Sequence, residues 1–234
     1  MIASLSRRGF VLLAPLATAA CAGGPLYQDA SMGPADAIPR HPVDPAVADM
    51  YAEIPDEPFP VPAIDVSLID PRYLRQAIAY DGYEQPGTII VDPSNYFLTL
   101  VIGDGQAVRY GVGVGREGFG WNGVATIRRK AQWPTWTPPS QMIARQPELE
   151  KYRRGMPGGL DNPLGARALY LYQGDRDTLY RIHGTNEPDT IGSSVSSGCI
   201  RMFNQDVIDL YGRALTGSKV VVLPMSNPRR PALS

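Results

Sequence analysis

The chain has 234 residues, with 22 basic and 23 acidic side chains and a formal charge of −1. That length allows one sizeable domain plus extensions, and a near-zero balance with no long block of like charge argues against a nucleic-acid binder, which carries a basic excess or patch. A hydrophobic content of 44% implies a packed core, while 24 Gly and 23 Pro point to a turn-rich, strand-based architecture.

Residues 1–22 read as an export signal. Arg7 and Arg8 precede an apolar stretch from Phe10 to Ala22, the basic-then-apolar order of a secretory leader, too short for the ~20 residues a membrane span needs. "SRRGFVL" resembles a twin-arginine signal; a general secretory leader with a basic pair is the other reading. Cys21, in "ATAAC", resembles a bacterial lipoprotein's acylation site, with Thr18 where that pattern prefers Leu. It is the candidate lipidation residue, and such an anchor is the chain's one expected link to a membrane.

Residues 23–62 hold nine of the 23 prolines. Proline at this density resists helix and sheet alike, so the segment reads as an extended tether. Residues 63–85 form a short lead-in, with one helix expected around Tyr73 to Tyr80.

From about Gly87 the pattern changes. "TIIVD" (88–92) and "YFLTLVI" (96–102) are strand runs, and "GDG" at 103–105 joins the second to "AVRYGVGVG" as a hairpin. Further strands are expected at 123–129, 168–173, 178–183 and 219–224, with "GDRD" turning a second hairpin. Seven or so short strands imply a mainly β sandwich or barrel. One helix is well signalled: Asn204 precedes "QDVIDLYGRALTG", with Val207, Leu210, Tyr211, Ala214 and Leu215 on one face and Gly217 as the stop. Between Gln132 and Pro163 no regular pattern survives. A connection this long in a compact domain is usually a lid or binding wall, which makes Trp133 and Trp136 candidate wall residues. Residues 225–234 form a tail.

The chemistry gathers in "YRIHGTNEPDTIGSSVSSGCIRM", residues 180–202, where His183 and Cys199 stand 16 positions apart. The chain holds two cysteines and one lies in the signal, so Cys199 has no obvious disulfide partner in an exported protein, where cysteines usually pair. A thiol with a pKa of ~8.5 needs a base or nearby positive charge to act as a nucleophile. His41 lies in the tether, which leaves His183 as the imidazole in reach. Gly198 lets backbone approach a carbonyl, and the N–H groups of Gly198 and Cys199 can stabilise an oxyanion. Arg201 suits a carboxylate, or can order the site and lower the thiol pKa. One placed His and one or two Cys cannot supply a structural zinc set, so no metal is expected. Spacing alone leaves nucleophile and buried core cysteine both open.

The motif resembles that of the L,D-transpeptidase catalytic domain, bacterial peptidoglycan enzymes with a cysteine nucleophile. His183-Gly184-Thr185, then Ile191-Gly192, then Ser196-Ser197-Gly198-Cys199-Ile200-Arg201 match its pattern, with Ser197 where many members carry His. "PGTIIVDPSNYFLTLV" and "GVGVGREGFGWNG" are also similar to the family's strands and turns, so the resemblance covers residues 86–224. It implies a mainly β, sandwich-like fold. It implies Cys199 as nucleophile and His183 as proton donor and acceptor, with a backbone carbonyl orienting the imidazole. Gly198, Ser197, Ser196, Arg201, Gly184 and Thr185 become candidates for the oxyanion and substrate contacts.

The implied reaction takes a tetrapeptide stem, forms a thioester at its third residue, a diamino acid, and releases the terminal D-Ala. An amine resolves the thioester: another stem, giving a 3–3 crosslink, an envelope protein, or a free D-amino acid. Water would make the chain a hydrolase instead. An inactive peptidoglycan-binding scaffold and a thiol redox protein are the readings from other classes; the latter lacks a resolving cysteine in the mature domain. The resemblance implies acylation by carbapenems, no cofactor, and the periplasm of a Gram-negative bacterium.

Overall fold

The computed structural model describes residues 40–115, 121–196 and 198–225. Cys21 and Ser197 lie outside them, as do the export signal, the part of the 23–62 segment before Arg40, and the tail beyond Met225.

The fold begins well before Gly87. Asp44 accepts from the Ala46 N–H at 2.8 Å, and Pro45 supplies a pre-set φ for a short helix, α1 (Pro45–Met50). Tyr51, Val66 and Leu74 are buried with Phe203 in a satellite core, flanked by Val43, Val47 and Ile191. Residues 40–62 are therefore docked chain and not a free tether. The segment forms α1 and then turns back so that Ile54 and Val61 pair as an antiparallel bridge, while its apolar side chains find partners distant in sequence.

The helix expected at 73–80 is also corrected. Pro71–Tyr73 makes a single 3-10 turn, capped by Asp70 on the Arg72 N–H. Gln76–Ala79 is strand β1, whose burial alternates with period two. It completes a sheet edge, a tertiary gain that local periodicity does not carry.

Next come β2 (Ile89–Asp92), β3 (Phe97–Gly103), β4 (Gln106–Gly111), β5 (Val114–Gly115) and β6 (Gly123–Gln132). Asp104 and Gly105, both at positive φ (52° and 72°), form the two-residue turn between β3 and β4, the kind whose twist suits a hairpin. After the 133–166 connection follow β7 (Arg167–Gln173), β8 (Arg176–His183), β9 (Ser194–Ser196), β10 (Ile200–Arg201), α3 (Asn204–Arg213) and β11 (Lys219–Val222).

Nine strands form one mixed sheet in the order β1-β4-β3-β2-β11-β6-β7-β8-β10, and β5 pairs with β9 in parallel as a separate ribbon. Val112 and Tyr110 from one side of this order share a single buried cluster with Ile182 and Ile200 from the other, together with Val207 and Leu210 of α3. Gly113, just past β4, pairs with Arg201 of β10 at the far end of the order, so the sheet curls until its two sides meet. The mainly β expectation holds, with one substantial helix after Cys199.

That helix differs in its ends. Asn204 is its first residue and does not cap it; Phe203 occupies the cap position without a side-chain bond. The helix stops at Arg213, not Gly217. Lys130 Nζ donates to the carbonyls of Tyr211 and Ala214, both at 2.6 Å, and so satisfies the open carbonyls of the last turn. Leu215 consequently falls past the helix and is 70% exposed. The connection read as irregular contains a six-residue helix, α2 (Ser140–Arg145), then a 3-10 stretch Pro147–Tyr152.

Candidate active site

β10 runs parallel to β8, with Ile200 opposite Ile182 and Arg201 opposite His183. Met202 N–H donates to the His183 carbonyl at 2.8 Å and extends the register. Because strand side chains alternate, His183 and Arg201 face the same way. Cys199 lies two residues before Arg201, at the mouth of the same face. His183, Cys199 and Arg201 all line one cavity of about 780 Å3.

The glycine before the cysteine has a steric reason. Gly198 has φ of +126°, and a Cβ on its neighbour Gly115 would come within 2.6 Å of the Gly198 Cα. Two glycines in contact let the cysteine loop pack against β5. Gly192 (φ +81°) similarly leaves room for the Tyr73 ring.

His183 is buried, and its Nδ1 lies 2.5 Å from the Gly184 carbonyl oxygen. A carbonyl can only accept, so Nδ1 carries the proton and Nε2 is left as a base. Burial pulls the imidazole down to about 4; the Gly184 bond opposes this, and the Arg201 and Arg181 charges add to it. Burial likewise pushes the Cys199 thiol up, as does Asp177 less strongly, while the Arg181 N–H and the Arg181 and Arg201 charges pull it down. The resting pair at neutral pH is thus neutral thiol and neutral imidazole. Arg201 acts on the thiol in the expected direction, but desolvation outweighs it.

The other sequence candidates separate. Gly184 and Thr185 do not line the cavity. Thr185 is buried with its Oγ1 accepting from the Glu187 N–H at 3.0 Å, and Gly184 supplies the carbonyl that holds His183. Their turn is fixed by Asn204, whose Oδ1 accepts from Ala166 N–H (2.9 Å) and whose Nδ2 donates to the Thr185 carbonyl (3.0 Å). Ser196 sits in β9 opposite Gly115. Arg201 donates to Glu187 Oε2 at 2.7 Å, within the cavity wall.

Trp136 lines the cavity with Met142, Leu149, Tyr152 and Met156, all from the connection between β6 and β7. Trp133 does not line the cavity. Its Nε1–H donates to Glu57 Oε2 at 2.8 Å and its ring packs edge-on against Phe59. Glu57 also pairs with the buried Arg167. No group of three or more His, Cys, Asp or Glu side chains suited to a metal ion occurs among the described residues.

Sequence reasoning passed over Asp177, Leu179, Arg181 and Glu187. Asp177 and Arg181 stand four apart inside a strand run, where side chains do not normally meet, and only a break in the strand would have drawn notice to them.

The L,D-transpeptidase catalytic domain (YkuD) family model matches residues 86–222. The chain belongs to the L,D-transpeptidase family. It is 35% identical over 161 residues to a probable L,D-transpeptidase, ErfK/SrfK, of Escherichia coli K12, covering 68% of this chain and 48% of that protein. It is 36% identical over 158 residues to a second from the same organism, YbiS, covering 67% and 47%. The chain spans about half the length of these curated relatives. A solved structure from Brucella melitensis, described as a probable carnitine operon oxidoreductase, is 51% identical, covering 66% of this chain and 96% of its own, with a TM-score of 0.47. No helix among the described residues is long and apolar enough to cross a membrane.

Proposed function

We propose that this L,D-transpeptidase family member is a cysteine acyltransferase of peptidoglycan stems, exported to the periplasm and held there, if Cys21 is acylated, by a lipid anchor. The observation that carries the reading is the meeting of Cys199 and His183 in one cavity, with the Gly184 carbonyl holding the imidazole so that Nε2 is a base.

The Cys199 thiol gives its proton to His183 Nε2 as Sγ attacks the carbonyl carbon of the stem's third residue. Because thiol and imidazole are both neutral at rest, proton transfer accompanies the attack and does not precede it. The negative charge passes to the carbonyl oxygen, where the backbone N–H groups of the Gly198–Cys199 turn are the donors of choice. Collapse breaks the bond to the terminal D-Ala, whose nitrogen leaves with the proton from His183, and a thioester remains. An acceptor amine then attacks the thioester and passes its proton back through His183, so that Cys199 returns as the thiol. The broad apolar wall around Trp136 suits an acceptor larger than water, such as a second stem or a protein side chain.

Mixing the protein with disaccharide-tetrapeptide and analysing products by mass spectrometry tests this. Dimers together with free D-Ala, absent with Cys199→Ala, are the expected outcome. Tripeptide without dimers would keep the thioester and move the acceptor elsewhere, while no Cys199-dependent product would overturn the proposal.

A further inference from the structure

Strand β8 is not regular where it passes Cys199. Tyr170 on β7 faces Arg181, but Tyr172, two residues on, faces Asp177, four residues back. Two extra residues are therefore looped out of β8, so that Thr178, Leu179 and Tyr180 together oppose Leu171. Bulges of this kind re-aim side chains and backbone, and they concentrate beside active sites. Leu179 adopts a φ of +64°, costly for a residue with a branched side chain, and is 75% exposed.

The bulge is clasped at both ends. Asp177 Oδ1 accepts from the Leu179 N–H at 2.8 Å. Both Asp177 oxygens also take the Arg181 guanidinium, at 2.7 and 2.8 Å. In an extended strand, residues four apart have Cα atoms about 13 Å from one another; the contraction of the bulge brings this pair into bidentate reach. The Arg181 guanidinium also lies over the Tyr170 ring, 4.5 Å from its centre. Thr178 Oγ1 pins the centre by donating to the Leu171 carbonyl at 2.6 Å.

What the contracted backbone presents is a pair of groups for the sulfur. The Leu179 carbonyl oxygen lies 3.9 Å from Cys199 Sγ, within reach of a thiol donor, and the Arg181 N–H is directed at the same sulfur. A carbonyl suits the thiol and an N–H suits the thiolate, so both protonation states find a backbone partner. We propose that the β8 bulge is a cradle for the Cys199 sulfur, and that Asp177 and Arg181 are positioning residues that set the reactivity of the thiol in opposite directions.

Among the described residues, the charged and titratable groups around the sulfur are few. Asp177, Tyr180, Arg181 and His183 come from β8 and Arg201 from β10, while Tyr152, Asp161 and Glu187 line the same cavity. Arg201 is already paired with Glu187. The Asp177–Arg181 pair therefore balances the field on the β8 side: removing the carboxylate leaves a bare guanidinium that favours the thiolate, and removing the guanidinium does the reverse.

The proposal rests on Cys199 being the reactive thiol but not on its turning over substrate, so the test reads the thiol directly. Iodoacetamide labelling of Cys199 in the full chain is followed against pH by peptide-level mass spectrometry, which separates it from Cys21. Asp177→Asn keeps an oxygen for the Leu179 N–H while losing the charge, and its labelling midpoint is expected to move to lower pH, with several-fold faster labelling at pH 7. Arg181→Gln is expected to move the midpoint up and slow labelling several-fold, and Arg181→Lys to restore it. Midpoints unchanged in folded Asp177→Asn and Arg181→Gln, or displaced in the same direction in both, would overturn the proposal. Product formation in the same variants is a separate measurement; its absence in wild type alongside these shifts would count against the acyltransferase reading only.

Discussion

The amide of Asn204 fills a space that two glycines leave open. A Cβ on Gly165 or on Gly184 would overlap its Oδ1, so glycine at both positions lets one side chain tie the start of β7 to the turn after His183. Asn204→Ala leaves the Ala166 N–H and the Thr185 carbonyl without these partners, at a cost of about 2–4 kcal/mol. Gly184→Ala acts on the chemistry as well, because its methyl must displace either Asn204 or the carbonyl that orients His183. That variant should keep much of its iodoacetamide labelling at Cys199 yet lose most D-Ala release, since an added alkylating agent needs only the thiol whereas acyl transfer needs an oriented base. Urea midpoints and the two rates side by side check both expectations. Equal loss of labelling and turnover would mean that the whole loop had moved and not the imidazole alone.

At the scale of elements, the segment before β1 works as a strap across the base of the active-site wall. Glu57 receives Trp133 Nε1–H and the Arg167 guanidinium, and Phe59 packs on the Trp133 ring. The side chains of Arg167 and Glu57 are only 7% and 11% exposed, and in such a pair removing one partner strands the other. Glu57→Ala is expected to cost about 3–5 kcal/mol, read as a drop in thermal or urea midpoint. Removing residues 23–62 should cost at least as much, although they read in sequence as linker. The strap escapes sequence reading because its bonds are long-range: Trp133 and Arg167 lie 76 and 110 residues from Glu57. The β3–β4 hairpin was legible because Asp104 and Gly105 make its turn locally. Likewise the helical period of Val207, Leu210 and Ala214 announced α3, while its ends did not show because Lys130 sets one of them and Asn204 is occupied elsewhere. Cys199 and His183 were legible as a motif. The bulge that serves them was not, since the pairing of Asp177 with Arg181 has meaning only after the strand contracts.

Across the whole molecule, two buried titratable groups oppose each other. Asp206 of α3 is buried, accepting from Tyr51 OH at 3.0 Å, with Arg75 Nε 3.8 Å from its other oxygen. Burial raises it to about 7, Arg75 and Tyr51 pull it back, and Asp209 adds to the rise. A carboxyl whose pKa is higher in the folded chain binds protons there that the unfolded chain has already released. Its stabilising contribution is therefore full below about 3.8 and lost as pH rises through about 7. His183 has the opposite sign. Lowered to about 4, it refuses a proton that the unfolded chain accepts below about 6.5, so its contribution is full above 6.5 and lost as pH falls toward 4. The windows nearly coincide, and from about pH 4 to 6.5 the two slopes offset one another. Each variant should unmask the other group. Stability of Asp206→Asn should climb relative to wild type as pH rises from 4 to 7, because the falling contribution has been removed. His183→Gln should decline relative to wild type over the same range, because it has lost the rising one. Urea midpoints at half-unit steps of pH read both differences directly, and the surface carboxylates common to all three proteins cancel in the subtraction. Parallel curves for wild type and Asp206→Asn would mean that Asp206 titrates in the folded chain as it does in the unfolded one. The network joining Tyr51, Arg75 and α3 would then hold an ordinary carboxylate, and the docking of the N-terminal segment would not depend on pH through it.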